Sequence, residues 1–392
     1  MNDSKALEDA FVLPTYEKFP FVLERGEGCW VWDEAGEKYL DLYGGHAVAA
    51  LGHCPIEVAD ALSAQSRKLL FYSNLVYVRA RAEAARALVE FCGEAGSQVF
   101  FCNSGAEANE NALRIARSAT GRPTVVVAEG GFHGRTAAAL AATGAKYRKG
   151  LAGLGADIVH VPFGDLAAAE AALDENAAAF LLEPIQSVQG ATTATGDYLK
   201  GLQRLCEKSG ALLIFDEVQT GLGRVGARSA RHAWGARPHL QTFAKALASG
   251  VPAGAVLAAP EVSRKVKPGA LGSTFGGGPL ASVAITATLK GITDRKLWEN
   301  AAAMETLIRE TFRFPQIVDI RGKGLLLGIV LDRPSKDVRK ALLAKKILVG
   351  GADDPNVIRL LPPLTVGPAE IGLLRDALAG IFASETAAAA AR

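Results

Sequence analysis

The chain has 392 residues, enough to bury a large core and to form two or three domains. A hydrophobic fraction of 49% with 21% charged residues excludes a disordered, collagen-like or coiled-coil chain. Lys and Arg number 43 against 41 Asp and Glu, a net charge of +2, so there is no basic footprint for nucleic acid.

Met1–Ala10 is polar and acidic, unlike a signal peptide, and no apolar run approaches the roughly 20 residues of a membrane span. Cys29, Cys54, Cys92, Cys102 and Cys206 are scattered and form no C-x-x-C pair, which supports neither a zinc site nor a disulfide framework. The expectation is a cytoplasmic protein with no membrane and no nucleic-acid partner.

In chain order, Gly28–Leu42 reads as a hairpin turning at Ala35-Gly36. Gln98–Cys102 reads as a strand, Ala106–Ser118 as a helix, Thr124–Ala128 as a strand and Arg135–Ala142 as a helix. Ile158–Val161, Phe180–Leu182 and Ala211–Phe215 are further strands, with a helix over Tyr198–Glu207. Unbroken apolar strands alternating with helices predict an α/β fold, a mostly parallel sheet covered on both faces. After Pro279 the texture changes. Helices over Leu280–Ile292, Leu297–Phe312 and Pro368–Phe382 alternate with strands at Gly322–Leu331 and Val357–Leu361, a smaller α+β domain. The predicted division is an N-terminal segment (1–50) packing with the small domain, a large domain (51–278) and a C-terminal small domain (279–392).

Ligands of such sheets sit at the carboxyl ends of the strands, and four features fall there. Ser104-Gly105-Ala106 joins a strand to a helix and can cradle an anion on bare N–H groups; a plain helix cap is the alternative. Asp216 ends an apolar strand, where its charge needs a partner such as a pyridinium N–H; a cap, an ion pair or a magnesium-holding acid are the alternatives. The last needs a phosphate-loop motif that is not found. Lys245 lies in TFAKAL, where desolvation lowers an amine's proton affinity and favours a Schiff base; a lysine reaching out to solvent is the alternative. Phe132-His133-Gly134-Arg135 offers a ring to stack on a flat cofactor and a guanidinium for a carboxylate, or else a core Phe and a surface Arg. Gly221–Gly226 (GLGRVG) fits G-x-G-x-x-G but sits too far from its strand and lacks the later acid of a dinucleotide site. Together the four features describe a phosphate cradle, a stacking ring, a pyridinium partner and a Schiff-base lysine, which is what pyridoxal 5′-phosphate (PLP) requires.

Phe101–Asn111 (FCNSGAEANEN), Gly131–Thr136 (GFHGRT), Glu183–Gln186 (EPIQ), Phe215–Gly221 (FDEVQTG), Ala244–Leu247 (AKAL), Gly272–Leu280 (GSTFGGGPL) and Arg321–Gly328 (RGKGLLLG) follow one another over nearly the whole chain. In these stretches and their order the sequence resembles the class III, fold-type I PLP aminotransferases, most closely their acetylornithine branch. The resemblance implies that Lys245 carries PLP and that Asp216 pairs with its ring nitrogen. It also implies that Gln219 faces the ring hydroxyl, that Val218 and Phe132 enclose the ring, and that Ser104, Gly105 and Ala106 hold the phosphate. Thr274 matches the threonine that reaches the phosphate of a neighbouring subunit, so the resemblance implies a homodimer with sites at the interface. Arg135 and Arg359 match the carboxylate-handling arginines and Tyr16 a substrate-binding tyrosine; Glu183, Ser273 and His46 are further substrate-side positions.

The implied reaction moves the terminal amino group of N-acetylornithine to 2-oxoglutarate. Ornithine, succinylornithine or another ω-amine is the alternative donor, and a PLP aminomutase, racemase or decarboxylase, or a non-enzyme keeping the fold, are more distant ones. Two departures bear on the donor. The family's EPIQGEGG is EPIQSVQG here, with Val188 for a glutamate that in some members masks an arginine. That leaves Arg359 without such a partner unless Gln189 or another group helps. His46 stands where acetylornithine enzymes tend to carry an aliphatic residue and ornithine enzymes a tyrosine; a structural histidine is the other reading.

Overall fold

The computed structural model describes residues 4–150, 153 and 155–390, with 385–390 by backbone only. Met1–Asp3 of the polar N-terminal stretch lie outside the described residues. The strands are β1 (Leu23–Glu27), β2 (Trp30–Asp33), β3 (Lys38–Asp41), β4 (Gln98–Cys102), β5 (Thr124–Ala128), β6 (Ile158–Val161), β7 (Ala177–Leu182), β8 (Ile185–Gln186), β9 (Thr192–Thr193), β10 (Leu212–Asp216), β11 (Leu240–Phe243), β12 (Gly254–Ala258), β13 (Ile317–Lys323), β14 (Leu326–Leu331), β15 (Ile347–Leu348), β16 (Gly350–Gly351) and β17 (Val357–Leu360).

A seven-stranded sheet in the order β4-β12-β11-β10-β7-β5-β6 forms the centre. Its inner strands are buried on both faces, so they lack alternation, whereas the edge strands β4 and β6 are partly exposed; β7 reads AAAFLL with every residue buried. On one face Phe180, Leu182, Leu213 and Phe215 pack against the helix Gly196–Ser209. On the other, Val125, Val127, Leu181 and Ile214 pack with Ala108, Ala112, Leu113 and Ala116 of the helix Gly105–Thr120. Phe180 and Phe215 are fully buried, and such a side chain stabilises by about 1.5–3 kcal/mol.

The predicted β-α rhythm is present, with one reversal. β6, β5, β7, β10 and β11 pair in parallel, whereas β12 runs antiparallel to both β11 and β4. The connection Ala244–Ala253 is shorter than the dozen or so residues a parallel crossover needs, so the chain returns antiparallel. This short return carries Lys245.

Two predicted elements are corrected. Gly322–Leu331 is not one strand but the hairpin β13–β14, with Lys323 opposite Leu326 and Gly324 at φ +61° in the turn. The helix expected from Arg135 begins at Ala137, leaving Arg135 exposed before it. The C-terminal sheet runs β13-β14-β17-β16. The early hairpin β2–β3 forms with its turn at Ala35-Gly36, and β15 joins β3 in parallel, Ile347 opposite Leu40. The N-terminal strands thus share a sheet with a strand from beyond residue 340. No described helix is long and apolar enough to cross a membrane.

Candidate active site

Parallel register sets Asp216, the last residue of β10, beside Thr242 of β11. Asp216 is 2% exposed. Its Oδ2 accepts from Asn109 Nδ2 at 2.7 Å and contacts His133 Nδ1 at 2.8 Å. Its Oδ1 accepts from the Val218 N–H at 3.0 Å. Thr242 directs its single proton to Asn109 Oδ1 at 2.7 Å and stands 3.4 Å from Asp216 Oδ1. Oδ2 is therefore saturated, while Oδ1 keeps a free lone pair. Asn109 and His133 were not assigned roles from the sequence. The available signal was an asparagine inside the apolar stripe of the helix Gly105–Thr120, one turn after Gly105.

Lys245 opens the short 3₁₀ helix Lys245–Ala248 at φ +46°. A non-glycine residue in the left-handed region marks a position held by its surroundings. Burial pushes its amine below the ordinary lysine range. The carboxylates of Asp216 and Glu183 oppose that shift, and the Arg359 charge adds to it. The amine makes no hydrogen bond or ion pair with the described residues. Glu183 accepts from the Phe132 N–H at 2.7 Å. Burial first, and the Asp216 charge next, push its carboxyl up to about 7.

Ser104 caps the helix Gly105–Thr120, its Oγ accepting from the Glu107 N–H at 3.1 Å. The cap leaves the N–H groups of Gly105 and Ala106 at the helix start, where no internal partner exists. A Cβ on Gly105 would stand 3.0 Å from Val218 Cγ1, and one on Gly134 only 2.6 Å from Ala106 Cβ. Glycine is needed for the chain to close this tightly around the helix start. The Phe132 ring meets Tyr147 edge-on at 5.1 Å, and the Arg135 guanidinium lies 5.2 Å from the Tyr147 ring centre.

Arg359, on β17, is 7% exposed. Its Nε donates to Gly351 O at 2.5 Å, Nη1 to Ser187 Oγ at 3.2 Å and Nη2 to Tyr43 Oη at 2.7 Å. All three partners are neutral. Gln189 gives its amide to Asp353 at 3.3 Å, so Ser187 and Tyr43, not Gln189, steady the arginine. Tyr43 Oη in turn meets His46 Nδ1 at 2.9 Å. Partial burial, then the charges of Arg359 and Lys245, push the His46 imidazole below its ordinary value. Gln219 is buried, its Oε1 accepting from Ser187 Oγ at 3.0 Å.

A cavity of about 510 Å³ is lined by Tyr16, Ser104, Gly105, Ala106, Phe132, Arg135, Asp216, Val218 and Lys245. Glu183, Gln219, Arg359 and His46 do not line this cavity. Glu183 touches its wall through the Phe132 N–H, whereas Gln219, Arg359 and His46 form a separate hydrogen-bonded chain through Ser187 and Tyr43, near enough to Lys245 for the charge of Arg359 to act on its amine. Ser273 Oγ lies 3.3 Å from Asn103 Nδ2. Thr274 is exposed and does not line this cavity. The residues suit PLP on three counts. An open carboxylate oxygen can take a ring N–H, a buried amine lacks a partner, and a glycine-lined helix start can take a phosphate.

Comparison with known proteins agrees. The model of the class-III aminotransferase family matches residues 12–382, and the chain belongs to that family. It is a PLP-dependent aminotransferase of fold type I, as the sequence resemblance implied. It is 40% identical over 382 residues to the acetylornithine aminotransferase of Methanothermobacter thermautotrophicus, covering 96% of this chain and 97% of that one. With the acetylornithine aminotransferase of Streptomyces coelicolor it shares 43% over 373 residues, 93% of this chain and 92% of that one. The ornithine aminotransferase structure from Toxoplasma gondii ME49 superposes with a TM-score of 0.91 at 31% identity, covering 97% and 95% of the two chains. The acetylornithine aminotransferase of Elizabethkingia anophelis gives 0.84 at 31% identity, covering 95% and 97%.

Proposed function

We propose that the enzyme moves the terminal amino group of N-acetylornithine to 2-oxoglutarate, a step of arginine biosynthesis. The products are N-acetylglutamate semialdehyde and glutamate. The exchange is redox-neutral overall: the donor CH₂–NH₃⁺ becomes an aldehyde, and the acceptor ketone becomes CH–NH₃⁺. The observation that carries this reading is the unpartnered amine of Lys245 in one cavity with Asp216 and the helix start at Ser104. The acetylornithine aminotransferases at about 40% identity support the donor.

Bound PLP supplies an electron sink for the bond broken beside the transferred nitrogen. Lys245 would carry PLP through its amine and, once displaced, take and return the proton at the donor carbon. A buried amine with depressed proton affinity suits that exchange. Asp216 would hold the ring nitrogen protonated through its open Oδ1. Ser104, Gly105 and Ala106 would take the phosphate, Phe132 and Val218 the ring faces, and Gln219 the ring hydroxyl. Arg135 and Arg359 would grip substrate carboxylates, with Tyr16, His46, Glu183 and Ser273 completing the substrate side.

We read the working unit as a homodimer in which Thr274 serves the neighbouring site. Supporting this, Thr274 lies outside its own cavity beside Phe275, which is 63% exposed and packs against the exposed ring of Phe71 at 5.1 Å. Sedimentation of the PLP-loaded protein as a monomer would remove the dimer. The division into residues 1–50, 51–278 and 279–392 is retained as a proposal, supported by the β3–β15 pairing. A cytoplasmic setting is supported by five unpaired cysteines, four of them buried.

Borohydride reduction of the PLP-loaded protein followed by peptide mapping tests the assignment. It should tag Lys245, and Lys245→Ala should lose both the tag and turnover. A tag elsewhere, or an active Lys245→Ala, overturns it. Free ornithine is the second donor reading, favoured by the 0.91 likeness to the T. gondii ornithine aminotransferase. Parallel kcat/KM values for acetylornithine, succinylornithine and ornithine decide between them.

A further inference from the structure

Ser187 follows β8 in a tight turn, its carbonyl accepting the N–H groups of Gly190 and Ala191 at 3.1 and 3.3 Å. Its side chain is fully buried and makes two contacts, with Arg359 Nη1 at 3.2 Å and with Gln219 Oε1 at 3.0 Å. A guanidinium only donates, so Ser187 Oγ accepts from Arg359. Its one proton then goes to Gln219, which must present its carbonyl oxygen there. The Gln219 amide –NH₂ makes no hydrogen bond with the described residues.

Arg359 spends one N–H at each of Nε, Nη1 and Nη2 on neutral acceptors. One N–H remains on each Nη, a fork suited to a carboxylate. A carboxylate on that fork draws on the charge that polarises the Ser187 hydroxyl. Hydrogen bonds in series respond together.

We propose that Ser187 is a positioning residue that couples substrate-carboxylate binding at Arg359 to the orientation of Gln219 toward the cofactor. This rests on the roles proposed above for Arg359 and Gln219. Nothing in the known reaction requires a hydroxyl at this position, since the family motif carries glycine there. In this chain the serine makes the cofactor's surroundings sense whether a carboxylate is seated.

The test uses the PLP-loaded enzyme and glutarate, a dicarboxylate with neither amine nor ketone. Glutarate should shift the visible absorption of the wild-type cofactor. S187A should lose that shift and bind glutarate about tenfold more weakly, as removal of a hydrogen bond to a charged group implies. S187G, which restores the family residue, should behave like S187A, and S187T, which keeps the hydroxyl, should regain the shift. A wild-type shift that persists in S187A or S187G overturns the proposal. A wild-type protein with no visible band fails earlier, at the PLP assignment, and takes this proposal with it.

Discussion

His133 Nδ1 and Asp216 Oδ2 stand 2.8 Å apart with both side chains almost wholly shielded from solvent. The imidazole and Asn109 together occupy one carboxylate oxygen, while the other accepts the Val218 N–H and keeps a lone pair for a further donor. Asp216 is thereby held in one orientation.

Asp216→Asn keeps the shape and removes the charge. It should lower kcat/KM at least about 100-fold, the loss typical of a buried electrostatic partner. His133→Gln should cost less, about tenfold, because Asn109 still holds Oδ2. Steady-state kinetics on the two variants check the order, and equal losses would contradict it.

The two arginines should separate by burial. Arg135 is exposed, so Arg135→Ala should raise KM for carboxylate substrates without moving the melting temperature. Arg359→Ala removes donors from Gly351 O, Ser187 and Tyr43 at once. It should raise KM for 2-oxoglutarate at least about tenfold and also lower the melting temperature. Calorimetry beside kinetics reads both effects.

Gly134 sits at φ +142°, where a Cβ would fall 2.6 Å from Ala106 Cβ and 2.8 Å from its Cα. Gly134→Ala should destabilise the fold by about 1–3 kcal/mol and weaken PLP binding, since the strain falls on the helix start. Gly121, the C-cap of the same helix at φ +72°, has open space around its Cβ position. Gly121→Ala should cost about 1 kcal/mol and leave PLP affinity unchanged. Denaturation and cofactor titration of the pair check this.

Glu217 is buried, bonded by the Ala230 N–H at 2.8 Å and by the Thr220 hydroxyl at 3.2 Å, and burial pushes its carboxyl up to about 7. Its folded-state value lies above the unfolded 4.5, so the folded chain keeps a proton that the unfolded chain releases. Stability should therefore fall as pH rises from about 4.5 to 7, with the full penalty present above that window. Glu217→Gln should relieve the penalty at pH 8, by on the order of 2–3 kcal/mol, and do little at pH 4.5. Urea melts at the two pH values test it; an equal difference at both would rule Glu217 out as the source.

Strand β5 is legible with its observed bounds because TVVVA, a β-branched apolar run between Pro123 and Glu129, is a local signal; β6 (IVHV) is bounded by Asp157 and Pro162. Asp216 and Lys245 stood out for the same reason, each a charge where the neighbours leave no water. Ser187 carried no such mark. Its partners Gln219 and Arg359 lie 32 and 172 positions away, and only packing brings them within hydrogen-bond reach. Asn109 is likewise 107 residues from Asp216. The β13–β14 hairpin was hidden because its turn, Gly324-Leu325, sits inside a run of Gly and Leu that reads as one strand.

From residue order alone came the strand ends, the charged and glycine residues placed at them, and through their succession the family and its cofactor. These follow from burial period and backbone freedom, which act over a few neighbours. Which atoms meet could not be had that way: the direction of β12, the saturated and open oxygens of Asp216, and the neutral ring of partners around Arg359. Those depend on closing loops of tens to hundreds of residues, and the contact geometry exists only once the sheets and helices have packed.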